Sequence, residues 1–147
     1  MTNFESQLIS LAESTESLCV KAENANFNGE GWTPAIILGH IVDVDKEVWL
    51  ARFNMMVAAL HSGQEPPRLA WWEPDGEQTA EKYSTFSVTD SIELLRQSRN
   101  KMITYLQSLS VADRSAPAMH KTFGAITIES MLQVILNHDE EHRASIG

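Results

Sequence analysis

Apolar residues recur every three or four positions along most of the chain, the spacing that places side chains on one face of an α-helix. The first apolar stripe ends before the turn-rich segment 26–31. A second helix is predicted to begin at Thr33, a favourable N-cap residue, with Pro34 at the first helical position. The stripes of these two helices are Phe4, Leu8, Leu11, Thr15, Leu18, Ala22 and Ala25, then Ile37, His40, Val44, Val48, Ala51 and Met55.

The second helix is expected to run to Leu60 or His61, because Gly63 follows as a stop signal. Glycine and proline residues then punctuate the chain up to about residue 86. A connection of this length is unusual in a compact domain and is typical of a functional or packed surface loop.

A third helix is predicted from Val88 or Thr89, with Arg99 interrupting its apolar stripe, and a last helix is capped near Thr127. The segment 120–126 offers at most a small extended piece. Four long helices without strong strand alternation or an internal repeat predict an all-α fold, a four-helix bundle.

The composition agrees with one globular domain covering residues 1–147. Hydrophobic residues make up 43% of the chain and charged residues 21%. The 20 acidic residues outnumber the 11 basic ones, for a net charge of -9. This balance argues against a nucleic-acid partner and against docking on anionic lipid, because both depend on clustered lysine and arginine.

Cys19 is the single cysteine, so neither an intrachain disulfide nor a cysteine-based metal site is expected, and core packing is its simplest role. The N-terminal residues lack the basic and apolar regions of a signal peptide. The longest apolar run, residues 55–60, is too short for a membrane span. We therefore expect a soluble, cytoplasmic protein.

Histidines continue the apolar stripes of two helices. On the last helix, Ile135, His138 and His142 follow one another in steps of three and four, so both imidazoles are expected to point into the bundle. His40 occupies a stripe position on the second helix. Three histidines are thus predicted to face one interior from two helices.

A histidine on an apolar stripe is usually a core residue with a hydrogen-bond partner. Two neighbouring imidazoles, however, compete for partners, and their protonation would bring like charges together. A divalent cation removes both difficulties, because neutral imidazole is a good ligand for zinc, nickel and iron. The sequence therefore indicates a metal site formed by His40, His138 and His142, with the open fourth position of a catalytic centre.

The segment from His138 to His142 also resembles the spacing of the zincin signature, but Asp139 stands where that motif has glutamate. Its shorter side chain reaches less far toward a bound water. No third ligand follows farther along the segment, so a metalloprotease is not favoured.

Metal-ligating histidines normally donate their second N–H to a carboxylate or a carbonyl. Asp43, three residues after His40, and Asp139 are candidates for this role. His61, near the end of the second helix, and His120, in a loop, are predicted to lie at the surface.

Five further residues allow structural interpretations. Arg99 either reaches solvent at the bundle end or binds an anionic substrate group. Trp32 is expected to pack at the start of the second helix, and Trp49 in the core. Trp71 and Trp72 line either a pocket mouth or a subunit interface.

Two pairs of segments carry a family resemblance. Residues Gly31–Pro34 and Leu38–Asp43 resemble the "GW…HL.D" stretch of the DinB/YfiT-like superfamily, and Phe123–Thr127 with Leu136–His142 resemble its "G..T…HD.EH" ending. The segments stand in the family's order and span essentially the whole chain.

The resemblance implies a four-helix bundle of up-down-down-up topology and a divalent metal ion held by His40, His138 and His142. The family includes thiol-dependent S-transferases and isomerases that use bacillithiol, mycothiol or glutathione, and homodimers are common in it. We therefore expect a small-molecule substrate and a metal-activated thiol as cosubstrate. No credible protein nucleophile is visible in the sequence, which agrees with this expectation.

Two alternatives remain open at this point. One is a metal-dependent hydrolase that activates water, with Asp139 or another carboxylate as the base. The other is a protein without catalytic activity, in which the metal only braces the bundle or the chain is a dimeric binding module.

Overall fold

The computed structural model describes residues 2–147. In chain order the elements are α1 (Asn3–Glu23), α2 (Pro34–Val44), a π-helical turn (Asp45–Leu50), α3 (Ala51–His61), β1 (Arg68–Leu69), α4 (Gly76–Lys82), α5 (Val88–Ser108), α6 (Val111–Arg114), β2 (Pro117–His120), β3 (Gly124–Thr127) and α7 (Ile128–Ser145). Helices α2 and α3 and the turn between them form one helical path. The mostly helical fold predicted from the sequence is confirmed.

The helices begin where their capping residues indicate. The side chain of Thr33 accepts a hydrogen bond of 3.1 Å from the backbone N–H of Ile36, and Pro34 opens α2. At the start of α7, Thr127 and Ser130 satisfy each other's backbone N–H groups. These local bonds stabilise the starts of both helices that carry the histidines.

The π-helical turn moves the buried face of the second long helix by one residue. Val44 and Val48 are buried as the stripe predicts, but Met55 is 50% exposed, whereas Met56 is 0% exposed. A π-helical turn accommodates more residues than an α-helical one, so apolar spacing no longer follows the same face beyond it. The prediction that Met55 faces the core is therefore wrong. The same turn carries the buried Asp45.

The two long connections contain more regular structure than the sequence indicates. Between α3 and α5 lie β1 and α4, and between α5 and α7 lie α6 and the hairpin β2–β3. Strand β1 pairs in parallel with β2, and β2 pairs antiparallel with β3. The resulting small sheet ties the two connections together beside the bundle, and the extended piece expected within 120–126 belongs to its hairpin.

Buried leucine and isoleucine side chains from all four long helical stretches fill the interior, among them Leu18, Leu38, Leu95 and Ile135. Polar contacts also join the helices at defined levels: Ser91 with Ala35, Arg99 with Asp45, Ser14 with Asp139, and Arg143 with Ser17. Within residues 2–147 no helix combines the length and the hydropathy needed to cross a membrane.

Candidate metal centre

The three histidines on the apolar stripes meet at one point between α2 and α7. One nitrogen from each of His40, His138 and His142 lies within 4.8 Å of the corresponding nitrogens of the other two. The Nε2 atoms of His138 and His142 are 3.0 Å apart. The fourth-residue spacing on α7 places these two rings edge to face, with 4.4 Å between their centroids. Helix α2 brings His40 against them, with its ring centroid 4.7 Å from that of His142.

Burial keeps these imidazoles neutral near pH 7. It lowers the pKa of His40 to about 4, with a smaller contribution from His142. Burial likewise lowers the pKa of His138 to about 4, and the neighbouring histidines reinforce the effect. The pKa of His142 is also lowered, again mainly by burial. Neutral imidazole is the form that binds a metal ion.

The donor set fits a divalent cation. The Nδ1 atoms of His40 and His138 are buried and make no hydrogen bond within residues 2–147. The Nε2 atoms of His138 and His142 face each other at hydrogen-bond distance. Only one of the two can carry the proton of such a bond, so at least one of them offers a free lone pair. Tetrahedral zinc ligands at about 2.0–2.1 Å from the ion lie roughly 3.4 Å from one another, close to this separation.

Asp43 lies near His40 but is engaged elsewhere. Its Oδ1 accepts hydrogen bonds from the Tyr83 hydroxyl at 2.6 Å and from Lys82 Nζ at 2.8 Å. The structure gives it no hydrogen bond to a histidine nitrogen. Burial lowers the pKa of His40, and the negative charge of Asp43 raises it by a smaller amount.

Arg99 forms a buried ion cluster at the centre of the bundle. Its side chain is 1% exposed and donates to Asp45 at 2.9 Å and to both carboxylate oxygens of Asp139 at 2.6 Å. Burial alone lowers the pKa of the guanidinium, but the two carboxylates raise it well above its usual range. The expected position in solvent at the bundle end is therefore wrong, and the guanidinium is paired with two carboxylates of the chain itself.

Asp139 accepts hydrogen bonds from Arg99 and Ser14 and makes none with the histidines. Besides its two bonds from Arg99, it accepts one from Ser14 at 2.9 Å, and it is completely buried. It follows His138 directly in the chain, so its carboxylate points toward α5 and α1 while the imidazole points toward His40. The structure thus places it away from the position that a catalytic base needs.

A cavity of about 120 Å³ lies beside His40 and His138. Its wall is largely apolar and aromatic, and it includes both tryptophans of the first long connection, Trp71 and Trp72. Trp71 is 61% exposed, which agrees with a position at a pocket mouth. The ring of Trp72 stacks on that of His40, with 6.4 Å between the two ring centroids.

His120 lines the same cavity, and its predicted surface position is wrong. The side chain is 4% exposed, since β2 places it under Trp71 and Phe123, whose rings lie 5.4 Å and 4.6 Å away. Burial and the charge of Arg52 lower its pKa. His61, by contrast, is exposed as predicted and contacts Asp113 at 2.7 Å.

Two of the remaining sequence predictions concern tryptophans near the site. Trp49 is buried as expected, and the centroid of its ring lies 5.9 Å from that of His138. Trp32 is partly buried at the start of α2, with its ring 5.2 Å from that of His40. Cys19 is buried, and burial raises the pKa of its thiol to about 11, so it is unsuited to be a nucleophile.

Sequence reasoning missed Arg52 as a cavity residue. It lies beyond the π-helical turn, where the helical spacing no longer indicates which face a residue occupies. For His120, the adjacent aromatic Phe123 is a weak signal of a packed hairpin. The pairing of β1 with β2, which the sequence does not reveal, places His120 beside Leu69, and Arg52 donates to the next residue, Ala70.

The chain belongs to the DinB superfamily, which its sequence matches over residues 6–146. YfiT from Bacillus subtilis, described as a probable metal-dependent hydrolase with an unusual four-helix bundle topology, has a similar structure. The TM-score is 0.73 at 19% identity, over 99% of this chain and 86% of YfiT.

A variant of the mycothiol-dependent maleylpyruvate isomerase is similar with a TM-score of 0.66 at 13% identity, over 100% of this chain and 64% of that chain. At these identities the likeness concerns the fold. No curated protein matches the sequence.

Proposed function

We propose that this protein is a metal-dependent enzyme that activates a low-molecular-weight thiol for attack on a small electrophile. The observation that carries the proposal is the convergence of three neutral imidazole donors beside a cavity. His40, His138 and His142 would hold the ion. A divalent cation at this position lowers the pKa of a thiol that reaches it and so favours the thiolate.

The cavity residues would bind and orient the substrates. The aromatic wall excludes water from one side of the site, and Trp72 limits the approach to His40. Exclusion of water strengthens electrostatic interactions within such a site. The volume of about 120 Å³ encloses a group of roughly the size of one aromatic ring.

The composition of the cavity wall argues against hydrolysis by a carboxylate base. Within the described residues, no aspartate or glutamate lines the cavity. Hydrolysis of an ester or amide usually needs a general base to activate water, and Asp139 is held by Arg99. A cation lowers the pKa of a bound water as well as that of a thiol, so the wall argues only against hydrolysis that uses a carboxylate base. The description of one structural neighbour as mycothiol-dependent favours the thiol.

Metal-dependent hydrolysis is the second candidate, which the description of YfiT favours. It predicts turnover of esters or amides by metal-loaded protein without any added thiol. The two candidates are therefore separated by whether a thiol is required.

We further propose the up-down-down-up order of the four long helical stretches. The pairs Ala35 with Ser91 and Asp45 with Arg99 rise together in number, which supports parallel second and third stretches. The pairs Ser14 with Asp139 and Ser17 with Arg143 do the same for the first and last. A long connection between the second and third stretches agrees with this order.

The cytoplasmic homodimer expected from sequence and resemblance is a separate proposal, tested by light scattering and by cell fractionation.

Elemental analysis of the purified protein tests the metal site. We expect about one divalent ion per chain in the wild type after reloading, and none in the variant that combines His40→Ala, His138→Ala and His142→Ala. His61→Ala is the matched control, because this exposed histidine lies outside the cluster and should leave the metal content unchanged. A wild type that retains no metal after reloading contradicts the proposal.

Thiol consumption tests the reaction. Bacillithiol, mycothiol and glutathione are each incubated with a chlorobimane electrophile and the metal-loaded protein. Turnover that depends on both thiol and metal supports the proposal. Turnover of ester or amide substrates without thiol supports the hydrolase instead. If chelation lowers the melting temperature but no activity is found, the metal only braces the bundle.

A further inference from the structure

Arg52 places a cationic group in the cavity wall without an acidic partner. Its side chain is partly buried, and its Nη2 donates to the backbone carbonyl of Ala70. In the part of the chain that the structure describes, it forms no salt bridge with an aspartate or glutamate. Removal of a guanidinium from water is unfavourable unless an anion compensates it. The cavity is therefore electrostatically suited to an anionic ligand.

His120 adds a hydrogen-bond donor whose proton position is defined by its neighbours. Its Nδ1 accepts the backbone N–H groups of Thr122 at 3.0 Å and Phe123 at 3.2 Å. A nitrogen that accepts hydrogen bonds carries no proton, so the neutral ring holds its proton on Nε2. The turn between β2 and β3 thus presents an N–H group at the far edge of the ring.

Arg52 and His120 are held at the same part of the cavity wall. Arg52 donates to Ala70, the residue after Leu69, and Leu69 pairs with His120 where β1 runs beside β2. Both residues line the cavity that also contains His40 and His138. The flat rings of Trp71 and Trp72 form the neighbouring wall. A planar fork of N–H donors matches the two oxygens of a carboxylate, and a flat apolar body fits beside the indoles.

We propose that Arg52 and His120 form a subsite for the carboxylate group of a small, planar ligand whose apolar part lies against Trp71 and Trp72. If the ligand is a substrate, the inference deepens the proposed function, because the subsite would orient the substrate's other end in the cavity shared with the histidines. The subsite itself consists of residues outside the metal cluster, so its existence can be tested independently.

Titration with benzoate tests the subsite, with benzamide as the uncharged ligand of the same shape. Binding is followed by the fluorescence of the cavity tryptophans on the protein as purified. We expect benzoate to bind about tenfold or more tightly than benzamide, because a charge-assisted bond to guanidinium is lost in the amide. Equal binding of the two ligands would overturn the proposal.

Variants of Arg52 assign the effect to this residue. Arg52→Gln should weaken benzoate binding about tenfold and leave benzamide binding nearly unchanged, whereas Arg52→Lys should retain part of the preference. Arg96→Gln removes the same charge from an exposed position on α5 and should change neither affinity. Circular dichroism establishes that each variant is folded. Unchanged benzoate affinity in folded Arg52→Gln would overturn the proposal.

Two substitutions at His120 separate binding from support of the hairpin. His120→Asn can keep an acceptor near the position of Nδ1 for the two backbone N–H groups while it removes the Nε2 donor, so benzoate binding should fall several-fold in a folded protein. His120→Gln keeps a donor near Nε2 and should bind benzoate more tightly than His120→Asn. The reverse order would show that His120 does not contact the carboxylate.

Elemental analysis of the same samples keeps the two proposals distinct. Absence of a benzoate preference in wild-type protein that carries metal refutes the subsite and leaves the metal centre intact. A benzoate preference that depends on Arg52 in protein that retains no metal even after reloading supports the subsite and contradicts the proposed function.

Discussion

Replacement of Arg99 by methionine tests how strongly the buried ion cluster stabilises the bundle. Methionine fills much of the same space but has no charge, so Asp45 and Asp139 remain buried without their cation. Removal of one member of a buried ion pair typically costs about 3–5 kcal/mol. Here two carboxylates lose the same partner, and a domain of this kind has a total stability of only about 5–15 kcal/mol.

Urea denaturation followed by circular dichroism measures the effect. We expect Arg99→Met to lower the free energy of unfolding by about 4 kcal/mol, with a matching decrease in the midpoint. Arg96→Met is the control, since Arg96 lies three residues earlier on α5 and pairs with the exposed Glu16 at 2.9 Å. Surface ion pairs contribute little, so this control should unfold close to the wild type.

A second substitution should restore part of the lost stability. Adding Asp139→Asn to Arg99→Met removes one of the two unpaired buried charges, so the double variant should be more stable than Arg99→Met alone. If Arg99→Met and Arg96→Met unfold at the same urea concentration, the buried cluster does not have the stabilising role that its geometry indicates.

Three other predictions concern the histidines, a helix contact and the C-terminus. In metal-free protein, unfolding free energy should fall as the pH decreases from 6.5 to about 4, by about 3 kcal/mol for each of His40 and His138. The pKa of each is about 4 in the folded state and about 6.5 in the unfolded chain, so the unfolded chain is protonated at a higher pH than the folded protein and is favoured as the pH falls. Urea titrations across this pH range measure the change in unfolding free energy. Gly39→Ala should cost about 1–3 kcal/mol in thermal unfolding, because its Cβ would lie 2.5 Å from the ring of Tyr83. Ile146→Ala should cost about 2–4 kcal/mol by urea denaturation, because this buried side chain packs the end of α7 into the core.

Matched controls accompany these predictions. Gly76→Ala adds a Cβ that makes only ordinary contact with Trp32 at 3.8 Å, so a similar loss in both glycine variants would contradict the argument for Gly39. Ile9→Ala removes an exposed isoleucine, and equal effects of Ile9→Ala and Ile146→Ala would refute the role of burial. A stability that does not change between pH 6.5 and 4 would mean that the histidines are accessible to protons in the folded state.

The helices and the inward face on which each histidine of the candidate metal centre lies could be predicted without coordinates, because both depend on short-range order. The contact of His40 with the other two histidines, in contrast, depends on how α2 and α7 pack. Thr33 and Thr127 cap the helices that they precede, through bonds to residues three positions away. His138 and His142 share a helix face because they are four residues apart. The prediction of the buried face failed at Met55, where the π-helical turn changes the helical spacing.

The sequence by itself determined the helical fold class, the starts of the main helices and the set of residues that meet as a candidate metal centre. Only the tertiary structure decided that Arg99 lies between Asp45 and Asp139, and that Arg52 and His120 reach one cavity. The physical reason is the range of the interactions. Helical periodicity and capping act within a few residues, whereas ion pairs across 40 or more positions and the pairing of β1 with β2 depend on how the helices and connections pack.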